Sequence, residues 1–260
     1  MKHLVQFSTG TTSAEVAWRV VAEHGAQNVT LLTADTCKED EDNWRFARQV
    51  VDRLGAEWVI ISDGRTPMQV GRDERCVPNN RMAVCSKILK RQLLDKWRAE
   101  HCDPAETIVY LGYDWTEPHR VEAARSHWVP WTVDCPLTRP PILWKDQLNN
   151  LFRERGIEPP RLYGYGFQHA NCGGACVRGG QAQWSLLLQV NRTRYLEWEA
   201  EEQATRDLLG KDVSILRDRT DGQSRALPLR AFRERIERQP SMFDAGDWGA
   251  CGCLMDLAHP

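Results

Sequence analysis

A chain of 260 residues is long enough for a complete α/β domain with an added lobe, and too long for a mini-protein held together by disulfides. Apolar residues make up 42% and charged residues 27%, the composition of a folded globular protein; 34 basic against 36 acidic side chains give a formal charge of -2, which excludes a uniformly basic nucleic-acid binder. Nine cysteines cannot all pair within one chain, and no leader or membrane-length apolar run accompanies them, so the expected setting is a reducing cytoplasm where clustered thiols bind metal or do chemistry.

In chain order, residues 3–7 read as a short buried strand. Ser8-Thr9-Gly10-Thr11-Thr12-Ser13 is a hydroxyl- and glycine-rich turn, and Val16, Ala17, Val20 and Val21 recur at helical spacing over 14–22. A second strand, 28–35, precedes a helix whose stripe of Phe46, Val50, Val51 and Leu54 ends at Gly55, a C-cap candidate. Strands follow at 58–61 and 107–111, with a helix over 81–100 between them. Four strands alternating with helices in 120 residues predict a parallel sheet covered on both faces. After Trp131 the pattern changes: Pro130, Pro136, Pro140 and Pro141 punctuate the connection to a helix over 144–155 that ends at Gly156. A loop from His169 through Cys172-Gly173-Gly174-Ala175-Cys176 comes next, then helices over 181–190 and 193–209. The tail is arginine-rich, with a weak apolar period over 229–236, and closes on Cys251-Gly252-Cys253. A boundary near 155 separates an α/β nucleotide-binding domain, 1–155, from a cysteine- and arginine-rich region, 156–260.

The turn after the first strand carries the strongest signal. A strand-to-helix turn presents unsatisfied N–H groups, hydroxyls and the positive end of a helix dipole, a place for an anion such as phosphate. Gly10 allows close approach of the backbone. The plainer reading makes Ser13 a helix N-cap with Glu15 as a first-turn acid. No Walker lysine is present. Lys87 and Lys90, three apart on the helix over 81–100, share a face that either supplements such a site or is solvated.

The thiols form a second constellation. The close pairs Cys172/Cys176 and Cys251/Cys253 suggest one four-thiolate site for zinc or a 4Fe–4S cluster, with a redox pair or simple packing as the alternatives. Cys85, between Arg81 and Lys87, has cations that favour its thiolate and is a candidate to complete the set. Cys37, Cys76, Cys102 and Cys135 read as packing thiols. Seven arginines between 217 and 238 form a local basic patch or an ordinary solvated helix.

The turn resembles the PP-loop of the adenine nucleotide α-hydrolase-like superfamily, with Thr9 in place of its first glycine. The likeness continues through Ala34-Asp35-Thr36, residues 80–90 with Cys85, residues 112–120 with Glu117, His119 and Arg120, and the loop 169–181. It is greatest to the phosphoadenosine phosphosulfate (PAPS) reductase-like family in its bacterial and phage branch. The resemblance implies a Rossmann-like parallel sheet of about five strands with helices on both faces and a helical, cysteine-containing C-terminal extension. It implies terminal phosphates of ATP, with Mg2+, held by Ser8, Thr9, Gly10, Thr11, Thr12 and Ser13. Asp35 would lie near the ribose or adenine, or else close a strand-end turn. Ser13, Cys85 and Arg120 would be catalytic, and Cys172, Cys176, Cys251 and Cys253 would hold zinc or iron–sulfur.

The implied chemistry is adenylation of an acceptor with release of pyrophosphate, serving sulfur transfer or modification of a base. Partners would be an adenine nucleotide and a nucleic acid (tRNA or DNA) or a sulfur donor protein; a homodimer is compatible and no membrane is involved. The reductases end in Glu-Cys-Gly-x-His, whereas this chain has Ala250-Cys251-Gly252-Cys253-Leu254, which makes sulfonucleotide reduction the second reading. A non-catalytic nucleotide-binding module with a structural zinc is a third.

Overall fold

The computed structural model describes residues 1–219 and 222–249. At its centre is a five-stranded sheet built from β1 (Lys2–Gln6), β2 (Val29–Asp35), β3 (Glu57–Ser62), β4 (Thr107–Tyr110) and β5 (Thr132–Asp134), in the order β3-β2-β1-β4-β5. Every pairing is parallel. Four strands fall where the sequence predicts them. The fifth is three residues long, too short to show a period, and is set by its pairing of Ile108 with Thr132 through Tyr110 with Asp134.

Alternation along the strands divides the sheet's side chains between two cores. Leu4, Leu32 and Val109 pack with α4 (Leu93–His101) and α5 (Pro118–His127) on one face. Val5, Leu31 and Tyr110 pack with α1 (Thr11–His24), α2 (Glu41–Leu54) and α6 (Lys145–Glu154) on the other. Helix α2 starts on Asp40, whose side chain accepts the Asp42 N–H at 2.9 Å, and stops at Gly55 in the left-handed conformation, φ 65°. Helix α1 begins at Thr11, three residues before its apolar stripe, because Thr11, Thr12 and Ser13 add no hydrophobic signal. Buried Glu15 pairs with Arg19 at 3.0 Å and Arg155 at 2.6 Å, tying α1 to the end of α6.

A third core joins the two halves of the chain. Met68 and Val70 of α3 (Pro67–Asp73), with Cys85 and Leu89, pack against Trp184 of α8 (Gln181–Val190), Tyr195 and Trp198 of α9 (Arg192–Leu209), and Phe232 of α10 (Leu229–Arg238). A two-stranded antiparallel hairpin, β6 (Leu216–Asp218) and β7 (Arg225–Leu227), completes it. The helix expected over 81–100 is a π-helix from Ser86 to Gln92 followed by α4. Residues 67–73 and 118–127, which show no clear period, are also helical.

The strand order opens the sheet at one point along its edge. From β1 the chain moves to β2 on one side, while β4 lies on the other, so the loops leaving the C-terminal ends of β1 and β4 diverge and leave a crevice.

Candidate active site

A cleft of about 340 Å³ opens at this divergence. Its floor is Gln6 to Gly10 with Thr12 and Ser13, one flank carries Leu32, Thr33, Ala34 and Leu94, and the other carries Gly112 to Asp114, Thr116, Glu117 and Arg120.

The floor is the turn singled out by the sequence. Ser13 is the third residue of α1, not its cap: its Oγ donates to Gly10 O at 3.0 Å and accepts from Ser8 N and Ser8 Oγ, both at 3.1 Å. Gly10, in extended backbone, is the N-cap and supplies no side-chain bond. A Cβ on Gly10 would stand 2.9 Å from Tyr163 Oη, so the glycine makes room for that hydroxyl. Thr9 adopts φ 61°, a left-handed conformation that penalises β-branched residues and that glycine accepts freely. The buried Oγ1 atoms of Thr9 and Thr11 have no hydrogen-bond partner among the described residues.

Asp35 is placed elsewhere. It does not line the cleft, and its carboxylate accepts the Cys37 N–H at 2.8 Å, closing the turn after β2. On the opposite flank Arg120 lies over the Tyr113 ring, 4.4 Å from its centroid, and is ion-paired with Glu117. Asp114 Oδ1 accepts from Thr116 N at 2.8 Å and Thr116 Oγ1 at 2.6 Å. His119 is exposed outside the lining, whereas His169 and Asn171 are part of it.

Cys85, Cys172 and Cys176 line one small pocket with Thr36, Ser86 and Lys90. Cys172 has φ 50°, and Gly173 and Gly174 follow at 61° and 85°. A Cβ on Gly173 would collide with the Arg194 guanidinium at 2.1 Å, and one on Gly174 would meet the Phe167 ring at 2.9 Å. The loop is thus wound by two glycines that could hardly be anything else. Glu39 accepts the Cys172 N–H at 2.8 Å and stands 3.8 Å from Lys90 Nζ. Both side chains are nearly buried, Glu39 at 7% exposure and Lys90 at 12%, and both line the cleft. Lys90 lines the cysteine pocket as well, so it forms part of the wall between the two.

Cys251 and Cys253 lie outside the described residues. Among the described residues, no three His, Cys, Asp or Glu side chains stand as an assembled metal-binding group. Burial pushes the thiols of Cys76 and Cys102 up and that of Cys135 to about 11, as expected for packing thiols. Lys87 and Lys90 do not share a face: the π-helix widens the turn, leaving Lys87 exposed and directing Lys90 into the cleft. Several arginines of the 217–238 patch are neutralised, Arg233 by Glu199 at 2.8 Å and Arg235 by Asp218 at 2.6 Å.

Sequence reasoning missed several lining residues. Tyr113 and Asp114 sit inside the 112–120 motif without being assigned roles, and Lys145 opens a helix whose start the sequence predicts. Its Nζ lies 5.0 Å over the Tyr163 ring. Glu39 and Tyr163 carry no local signal, because each is brought in by packing of distant segments.

No protein-family model and no curated protein matches the chain. Among solved structures it is similar to the PAPS reductase of Candida auris in its phosphate complex, at 13% identity over 66% of this chain and 81% of that one, with a TM-score of 0.44. It is also similar to the U34-tRNA thiolase NcsA from Methanococcus maripaludis with its 4Fe–4S cluster (16% identity, 81% and 70% covered, TM-score 0.46). A third is the NH3-dependent NAD synthetase of Campylobacter jejuni (15% identity, 81% and 84% covered, TM-score 0.36). No helix among the described residues is long and apolar enough to cross a membrane.

Proposed function

We propose that the chain is an ATP-using PP-loop enzyme that adenylates an acceptor and delivers sulfur to it. The observation that carries this reading is the shared wall: a cleft with an anion-receptive turn and a pocket of three cysteines meet at Lys90. The start of α1 and the hydroxyls of Ser8, Thr9, Thr12 and Ser13, which line the cleft where the buried Thr11 does not, receive the terminal phosphates, and the apolar flank of Leu32, Ala34 and Leu94 accepts the adenine. An acceptor oxygen attacks the α-phosphorus, the bond to the β-phosphate breaks, and pyrophosphate leaves. Arg120 and Lys145 hold the developing charge. Asp114, a carboxylate lining the cleft, suits Mg2+, which would neutralise the phosphates. A sulfide donor then attacks the activated carbon, the bond to the adenylate oxygen breaks, and AMP leaves the acceptor, a nucleotide or a base in nucleic acid. Cys172 and Cys176, with Cys251 and Cys253 or with Cys85 in place of one of them, are the thiolates that would hold zinc or an iron–sulfur cluster.

Incubation with ATP and Mg2+ is expected to yield pyrophosphate and AMP together, water taking the place of the acceptor oxygen. Sulfite release from PAPS, with no product from ATP, would overturn the reading in favour of sulfonucleotide reduction. Iron and sulfide analysis of anaerobically purified protein separates a cluster from zinc.

A further inference from the structure

One hydroxyl in the cleft is unexplained by folding. Tyr113 follows β4, is 4% exposed, and packs its ring in the core of Leu4, Leu32, Val109 and Leu111. Its Oη is buried with no partner at normal hydrogen-bond geometry among the described residues, and the Arg120 guanidinium, which lies over the ring face, acts on it only weakly. A buried hydroxyl left unpaired is destabilising, and phenylalanine would fill the same space without that cost. The residue lines the cleft beside the phosphate-receptive turn: a Cβ on the preceding Gly112 would lie in van der Waals contact with Ser13 N at 3.6 Å.

We infer that Tyr113 is a ligand-binding residue whose hydroxyl donates a hydrogen bond to a phosphate oxygen of the bound nucleotide. The inference rests on the nucleotide reading of the cleft. It explains why a polar atom is kept where the fold has no use for it. The ring positions the donor and, through the stacked Arg120, holds a cation next to it, so two donors of fixed geometry face the same anion. Burial raises the phenol well above its ordinary value, and it therefore stays a donor at every working pH.

The test is Tyr113→Phe in the full chain, with binding of α,β-methylene-ATP measured by calorimetry and stability by thermal unfolding. A hydrogen bond to a charged group is worth about tenfold or more in affinity. The expected result is affinity at least tenfold weaker, with a melting temperature equal to or above that of the parent. Unchanged affinity in the variant, with the parent binding normally, overturns the inference and leaves the nucleotide reading standing. A lower melting temperature accompanied by weaker binding also overturns it, since the hydroxyl would then serve the fold. Absence of binding by the parent overturns both.

Discussion

The turn at 8–13 and the loop at 169–176 place a non-glycine residue in the left-handed conformation, Thr9 at 61° and Cys172 at 50°, but they are held in opposite ways. The turn is braced from within by Ser13, three bonds spanning five residues. The loop is braced from outside: Glu39 holds the Cys172 N–H, Asn43 Nδ2 donates to Ala170 O at 2.8 Å, and Arg194 closes over Gly173. A locally braced element is written in consecutive residues, whereas a remotely braced one depends on other segments, two of them more than a hundred residues away.

The largest effect is expected in the loop. Gly173→Ala adds a left-handed penalty to a clash with Arg194, and should cost about 3 kcal/mol in denaturant unfolding. A loss under about 1 kcal/mol would show that the loop gives way freely and that external bracing is unimportant. Glu39→Ala should cost about 2 kcal/mol, because it strands the Cys172 N–H and removes the carboxylate beside Lys90. It is also expected to weaken nucleotide binding in calorimetry, since Glu39 lines the cleft too; an effect on stability alone would separate the two regions.

Ser13→Ala removes the internal brace, with an expected loss of about 1–2 kcal/mol and weaker α,β-methylene-ATP binding. Unchanged affinity would mean that the turn keeps its shape without Ser13. Thr9→Gly runs the other way: relief of the left-handed penalty should stabilise by up to about 1 kcal/mol in thermal unfolding, and any destabilisation would show that the buried methyl matters more than the strain.

The smallest effect serves as a control distant from both loops. His3 is buried, stacks on His24 with centroids 3.7 Å apart, and shares Tyr110 Oη with it at 2.8 and 3.2 Å. Burial first, then the neighbouring His24, holds the His3 value below the ordinary 6.5. A base with a depressed folded value is stabilising in its neutral form. Stability should be level above about pH 6.5 and fall as the pH drops from there through the depressed value. His24→Gln should flatten that fall in unfolding measured across pH; an unaltered slope would remove the histidine pair as its cause.

The same contrast explains which features are legible in the sequence. Four strands, the α2 stop at Gly55 and the position of the hydroxyl- and glycine-rich turn between β1 and α1 are local patterns, and each stands where expected. Three-residue β5 lacks enough positions for a period, and α1 reads short because hydroxyl residues open it. Cys172 and Cys176 are recognisable as a pair, but their third companion in the pocket comes from residue 85, which no spacing rule connects to the loop. Asp35 illustrates the reverse failure: an acid at a strand end fits a ribose contact as well as a turn, and here its carboxylate closes the turn.

The π-helix from Ser86 to Gln92 bears on how such a site could be recognised in other chains. In an α-helix, residues five apart point about 140° away from each other; in a π-helix they belong to one hydrogen-bonded turn, and here Cys85 and Lys90 line the same pocket. Their address is therefore counted in fives. A pattern written at α-helical spacing passes over this pair, and one residue lost from the segment would restore the α-helical count and turn the lysine out of the wall.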